Sequence, residues 1–118
     1  MKKSIIIVDD DPEDLKTMKS ALEKKGYNVV TAEGGVGVLE LISQKKFDLI
    51  LLDIRMPVLS GYELSRLLKE RLKRDIKMVY ISIVPKKEVA MKDINGFIQK
   101  PFSPKSLLDG VKKALGEK

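Results

Sequence analysis

Short apolar runs and spaced apolar stripes alternate along this chain from the first residues to the last. Ile5-Ile6-Ile7-Val8 makes Ser4 to Val8 a strand, and Asp9-Asp10-Asp11 stands at its carboxyl end. An unbroken apolar run bounded by turn residues marks a strand buried on both faces, the pattern of a parallel sheet. The period then changes. Leu15, Met18, Ala21 and Leu22 recur at helical spacing, with Asp11 as cap, Pro12 at the first helical position and Asp14 near the positive dipole end. Gly26 closes that helix, and Tyr27 to Ala32 is the second strand. Val38, Leu39, Leu41 and Ile42 give a second helix after Gly34-Gly35-Val36-Gly37, and Phe47 to Asp53 is the third strand. Ser60-Gly61-Tyr62-Glu63 fits a capping box, and Leu64, Leu67, Leu68 and Leu72 form the stripe of a third helix. Ile76 to Ser82 is the fourth strand, Pro85 to Asp93 allows only a short helix, and Ile94 to Gln99 is the fifth strand. Ser103 and Pro104 open a last helix through Leu107, Leu108, Val111 and Leu115, stopped by Gly116.

Parallel strands joined by right-handed helical crossovers predict an α/β fold, a three-layer doubly wound five-stranded sheet with a shortened fourth helix. With no linker, repeat or low-complexity segment, residues 1–118 read as one domain. The chain is 43% hydrophobic and 34% charged, a soluble and not a disordered composition. It has no cysteine, which excludes disulfides, thiolate metal sites and thiol nucleophiles, and no histidine, which removes the usual general base and zinc ligand. The N-terminal apolar run is too short for a signal peptide and no segment reaches membrane-spanning length, so a cytoplasmic location without a membrane partner is the default expectation.

Net charge is +6 but uneven: residues 1–59 carry nine Lys/Arg against ten Asp/Glu, and residues 60–118 carry fourteen against seven. The lysines are scattered along helical faces, and three Phe, three Tyr and no Trp offer little for base stacking, which argues against a nucleic-acid partner.

In a parallel sheet the carboxyl ends of all strands share one rim, where ligands bind in open α/β folds. That rim receives Asp9 and Asp10 from the first strand, Asp53 from the third, Ser82 from the fourth and Lys100 from the fifth. Taken alone, Asp53 reads as a turn residue, Ser82 as structural and Lys100-Pro101 as a turn. The ordered set reads differently. Three crowded carboxylates repel unless a cation intervenes, and oxygen donors without His or Cys select magnesium or a similar ion. A Lys ammonium and a Ser hydroxyl opposite them suit a phosphoryl group, toward which Asp53 can act as nucleophile.

The motifs Ile6-Ile7-Val8-Asp9-Asp10, Leu52-Asp53-Ile54-Arg55-Met56-Pro57 with Gly61, Ser82, and Lys100-Pro101-Phe102 span the chain from about Lys3 to Leu115. On them the chain resembles the receiver domain of two-component response regulators, including the stand-alone chemotaxis type. The resemblance implies the flavodoxin-like strand order 2-1-3-4-5. It implies that Asp53 accepts a phosphoryl group from the phosphohistidine of a sensor histidine kinase or phosphotransfer protein, and that conformational change then signals to a downstream protein target. Asp10 and Asp53 would hold Mg2+ (or Mn2+) with the main-chain carbonyl of Arg55, and Asp9 would act through a bound water. Lys100 would pair with Asp53 and then with the phosphoryl oxygens, and its bond to Pro101 would be cis. Ser82 would bond a phosphoryl oxygen and move inward. Phe97 stands where the family carries its switch aromatic, and ordinary burial explains it nearly as well. Asp11 reads as a helix cap and not a ligand. The domain would act as a monomer or a phosphorylation-dependent dimer.

Two features depart from the family pattern. Ile83 stands where a small residue usually keeps the phosphoryl site open, and fifteen positions from Ser82 to Phe97 leave the fourth helix short. They leave a second reading, a degenerate receiver that binds proteins independently of phosphorylation. A third is an aspartate-nucleophile phosphohydrolase, suggested by the Asp-x-Asp within Asp9-Asp10-Asp11, although no later acidic pair follows. In the receiver reading any catalysis is confined to the domain's own aspartyl phosphorylation and dephosphorylation.

Overall fold

The computed structural model describes residues 2–72 and 76–117. Five strands, β1 (Ser4–Asp9), β2 (Asn28–Glu33), β3 (Leu49–Asp53), β4 (Lys77–Ser82) and β5 (Gly96–Gln99), form one parallel sheet in the order β2-β1-β3-β4-β5. The helices are α1 (Pro12–Glu23), α2 (Val38–Gln44), α3 (Gly61–Arg71) and α4 (Pro104–Leu115). Between β4 and β5 the crossover holds a single 3-10 turn, Lys86–Glu88.

Alternation along the strands sorts side chains to two faces. Ile5, Ile7, Leu49, Leu51, Val79 and Ile81 pack with Leu15, Met18 and Leu22 of α1 and with Leu107 and Val111 of α4. Ile6, Val8, Ile50, Leu52, Met78 and Tyr80 pack with Val38 and Ile42 of α2 and with Leu64 and Leu68 of α3. The sheet is thus the middle of three layers, and each fully buried Ile or Leu contributes about 1.5–3 kcal/mol of transfer free energy.

Local signals set the helix ends as the sequence predicts. The Asp11 side chain accepts the Glu13 amide at 2.9 Å, ahead of Pro12. Ser60 and Glu63 form the reciprocal capping box of α3, and Gly116 ends α4 with a left-handed φ of 74°. The short helix expected over Pro85 to Asp93 is the clearest difference. Val89 is buried and Met91 half-buried there, too few anchors at helical spacing to hold an amphipathic helix on the sheet, and Asp93 turns the chain with a φ of 60°. Phe47 and Tyr27 plug the core from outside the ladder, so β3 and β2 begin later than their apolar runs.

Candidate functional site

β1 and β3 are neighbours in register, Val8 opposite Leu52, so Asp9 and Asp53 emerge side by side at the carboxyl rim. Both continue the alternation of Ile7 and Leu51 toward the α1 and α4 layer. Asp9 is fully buried and Asp53 is 6% exposed, whereas Asp10 is exposed. The Asp9 carboxylate accepts the Asp11 amide at 3.0 Å through Oδ1 and the Lys100 ammonium at 2.7 Å through Oδ2. Asp9, Asp10 and Asp53 each bring an oxygen within 4.8 Å of the others. This all-oxygen donor set, without His or Cys, fits Mg2+.

Crowding shows in the acid–base balance. Burial, then the charge of Asp9, pushes the Asp53 carboxyl up from 3.8 to about 7, with Asp10 adding to the rise and Lys100 opposing it. For Lys100, burial works to lower the ammonium pKa, but hydrogen bonds to Asp14 and Asp9 and the charges of Asp53 and Asp9 override it and hold the group above its ordinary value.

Lys100 follows β5 and its bond to Pro101 is cis. Its ammonium does not sit closest to Asp53, the partner that the resemblance implies: the Asp53 oxygen is 4.0 Å away, against 2.7 Å for Asp9 and 2.8 Å for Asp14. The reason is geometric. From the end of β5, at the far edge of the sheet, the lysine arm reaches across the rim to Asp9 of β1 and to the first turn of α1, which brings a further carboxylate within reach.

Ser82 ends β4 and is fully buried. Its hydroxyl oxygen accepts the Val84 amide at 3.1 Å, and its carbonyl accepts the Lys100 amide at 2.8 Å. Met78 and Tyr80 precede it on the α2 and α3 face, so Ser82 lies on the opposite alternation to Asp53. Phe97 pairs in register with Tyr80 and packs half-buried against that same face. Arg55, two positions past Asp53, is exposed, and Ile83 is 62% exposed, its side chain largely in solvent.

Three further residues shape the site, and two of them, Asp14 and Gln99, have no place in it in the sequence reading. Asp14 holds Lys100, and its only signal was its place in the first turn of α1. Gly61 starts α3 against the end of β3: its amide donates to Ile54 at 2.8 Å, and a Cβ there would strike the Asp53 carbonyl oxygen and lie 2.9 Å from the Ile54 Cα. Gln99 places its side-chain amide nitrogen 3.0, 3.2, 3.4 and 3.3 Å from the carbonyls of Ser82, Ile83, Val84 and Lys100. Nothing in the sequence pattern marks that contact, which depends on the β4–β5 register.

Residues 5–112 match the family model of the response regulator receiver domain. The polar-differentiation response regulator DivK of Brucella anthropi is 29% identical over 126 aligned residues, covering 99% of each chain. The structure of the response regulator TrrA of Thermotoga maritima in complex with Mg2+-BeF matches with a TM-score of 0.85 at 30% identity, over 95% of this chain and 98% of that one. The complex of the histidine kinase ThkA with TrrA gives a TM-score of 0.84 at 31% identity, over 96% and 98%.

Proposed function

We propose, from the premise that the chain belongs to the response regulator receiver domain family, that this phosphorylation-controlled switch takes its phosphoryl group on Asp53. The donor is the phosphohistidine of a sensor kinase or phosphotransfer protein; a kinase bound to the relative TrrA supports that class of partner. The observation that carries the reading is the buried Asp53 carboxylate, clustered with Asp9 and Asp10 and faced by the Lys100 ammonium, at the rim of β1 and β3.

An Asp53 oxygen attacks phosphorus, the bond from phosphorus to the donor imidazole nitrogen breaks, and the imidazole leaves with the electron pair. In a separate hydrolytic step, attack by water on phosphorus breaks the new phosphorus–oxygen bond, restores the carboxylate and releases inorganic phosphate. Asp10 and Asp53, the Arg55 carbonyl and, through water, Asp9 would hold Mg2+ or Mn2+, which when bound supplies positive charge to the carboxylates and phosphoryl oxygens. Lys100 brings a second positive charge to the same oxygens. Ser82 donates its hydroxyl to a phosphoryl oxygen after leaving its place in the loop turn, and Phe97 on the same face fills the space it vacates. That movement of β4 and β5 is the signal to a downstream protein.

The test is intact mass after incubation with acetyl phosphate and Mg2+, alongside Asp53→Asn. The expected result is one added phosphoryl group, dependent on Mg2+ and absent in the variant. An adduct of equal yield in Asp53→Asn would overturn the assignment of the acceptor. Absence of both an adduct and Mg2+ binding would replace the switch by a binding module.

A further inference from the structure

Asp14 lies in the first turn of α1, whose register is set by the Asp11 cap, by Pro12 and by the buried Leu15 and Met18. That register aims the carboxylate at Lys100, which donates to its Oδ2 at 2.8 Å. Two of the three ammonium hydrogens are thereby engaged by Asp9 and Asp14, and Asp53 at 4.0 Å is beyond hydrogen-bond distance. The two engaged carboxylates differ. Asp9 is fully buried and is also held by the Asp11 amide, whereas the Asp14 side chain is 33% exposed and has water to turn to.

We propose, resting on the receiver reading of Asp53, that Asp14 is a positioning residue: a counter-ion that retains Lys100 in the unphosphorylated state and yields it as the switch engages. When Lys100 turns to oxygens carried on Asp53, the contact it gives up is the one to Asp14 and not the one to buried Asp9. Asp14 thus sets how readily the activated form is populated, acting only through Lys100 and touching no reacting atom. The effect is expected to be about tenfold, the lower end for a charge-assisted hydrogen bond that is partly exposed.

The probe is beryllofluoride with Mg2+, its dissociation constant measured by calorimetry on the full chain and on Asp14→Asn, Asp14→Glu and Glu13→Gln. Asp14→Asn is expected to bind about tenfold more tightly. Asp14→Glu, which keeps the charged acceptor, is expected to stay within about twofold of the parent, as is Glu13→Gln, an exposed charge on the same turn. Unchanged or weaker binding by Asp14→Asn would overturn the proposal, as would a gain of the same size in Asp14→Glu or Glu13→Gln. Failure of the parent chain itself to bind beryllofluoride overturns the receiver reading, and the role of Asp14 falls with it.

Discussion

Replacing Asp53 by Asn should stabilise the fold when no divalent ion is present. The carboxyl is pushed from 3.8 to about 7, first by burial and then by the charge of Asp9. A folded-state pKa above the unfolded one means that the ionised group opposes folding. The penalty is absent below the unfolded value, grows as pH rises from about 4 to 7, and is complete above that. A rise from 3.8 to about 7, at about 1.36 kcal/mol per pH unit, gives an upper bound of about 4 kcal/mol, and local relaxation with water at the rim brings the expectation to roughly 2–4 kcal/mol. Asn keeps the shape and removes the charge. For a chain of this length each kcal/mol moves the melting temperature by about 3–5 °C, so the variant should melt roughly 6–20 °C higher at pH 8. Thermal and urea unfolding followed by far-UV circular dichroism in a chelator, from pH 4 to 9, measures the gap. It should close toward pH 4, and added Mg2+ should narrow it at pH 8 by stabilising the parent. A variant no more stable than its parent at pH 8, or a gap of constant size across the range, would refute the argument from charge crowding.

Gly61→Ala should destabilise by roughly 1–3 kcal/mol and lower the phosphoryl adduct, because its Cβ meets the backbone of Asp53 and Ile54, which has no rotamer to escape to; parent-like unfolding and adduct yield would show that the α3 start can shift freely. Val58 holds a φ of 70° while 89% exposed, so Val58→Asn loses no packing and relieves left-handed strain, for an expected gain of about 1 kcal/mol in urea unfolding. No gain would mean that the loop relaxes at no cost. Burial and then the hydrogen bond and charge of Glu117 raise the Tyr27 phenol from 10.0 to about 12, with the hydroxyl donating to Glu117 at 2.6 Å. Stability from the neutral phenol is complete below pH 10 and lost toward pH 12. Tyr27→Phe should therefore lack a fall of about 1 kcal/mol over that window, the full shift being reduced by partial exposure of the hydroxyl. Parallel losses in both chains would refute it.

The carboxyl ends of β1, β3 and β4 were legible because an unbroken apolar run has to be buried on both faces, and placing these strands with β5 in one parallel sheet puts Asp9, Asp10, Asp53, Ser82 and Lys100 on one rim. Asp11, Ser60 and Gly116 were equally plain, since capping is decided within a few residues of the cap itself. Contacts decided across elements were not legible. Asp14 meets Lys100 over 86 residues of chain, and whether it does so depends on how α1 sits on the sheet. Gln99 reaches four carbonyls through a register that no periodicity encodes. The β4–β5 crossover lies between these cases. Its shortness could be counted in the sequence, but its collapse to one 3-10 turn follows from the lack of anchoring side chains, which only the packing reveals.

Gln99 carries a mechanical consequence. A primary amide has two hydrogens, yet the Gln99 nitrogen faces four acceptors, three of them on the consecutive residues Ser82, Ile83 and Val84, where the chain leaves β4. Whichever two of the four carbonyls take its hydrogens, the amide is never left without an acceptor, so one side chain braces the end of β4, the start of the loop and the residue after β5 together.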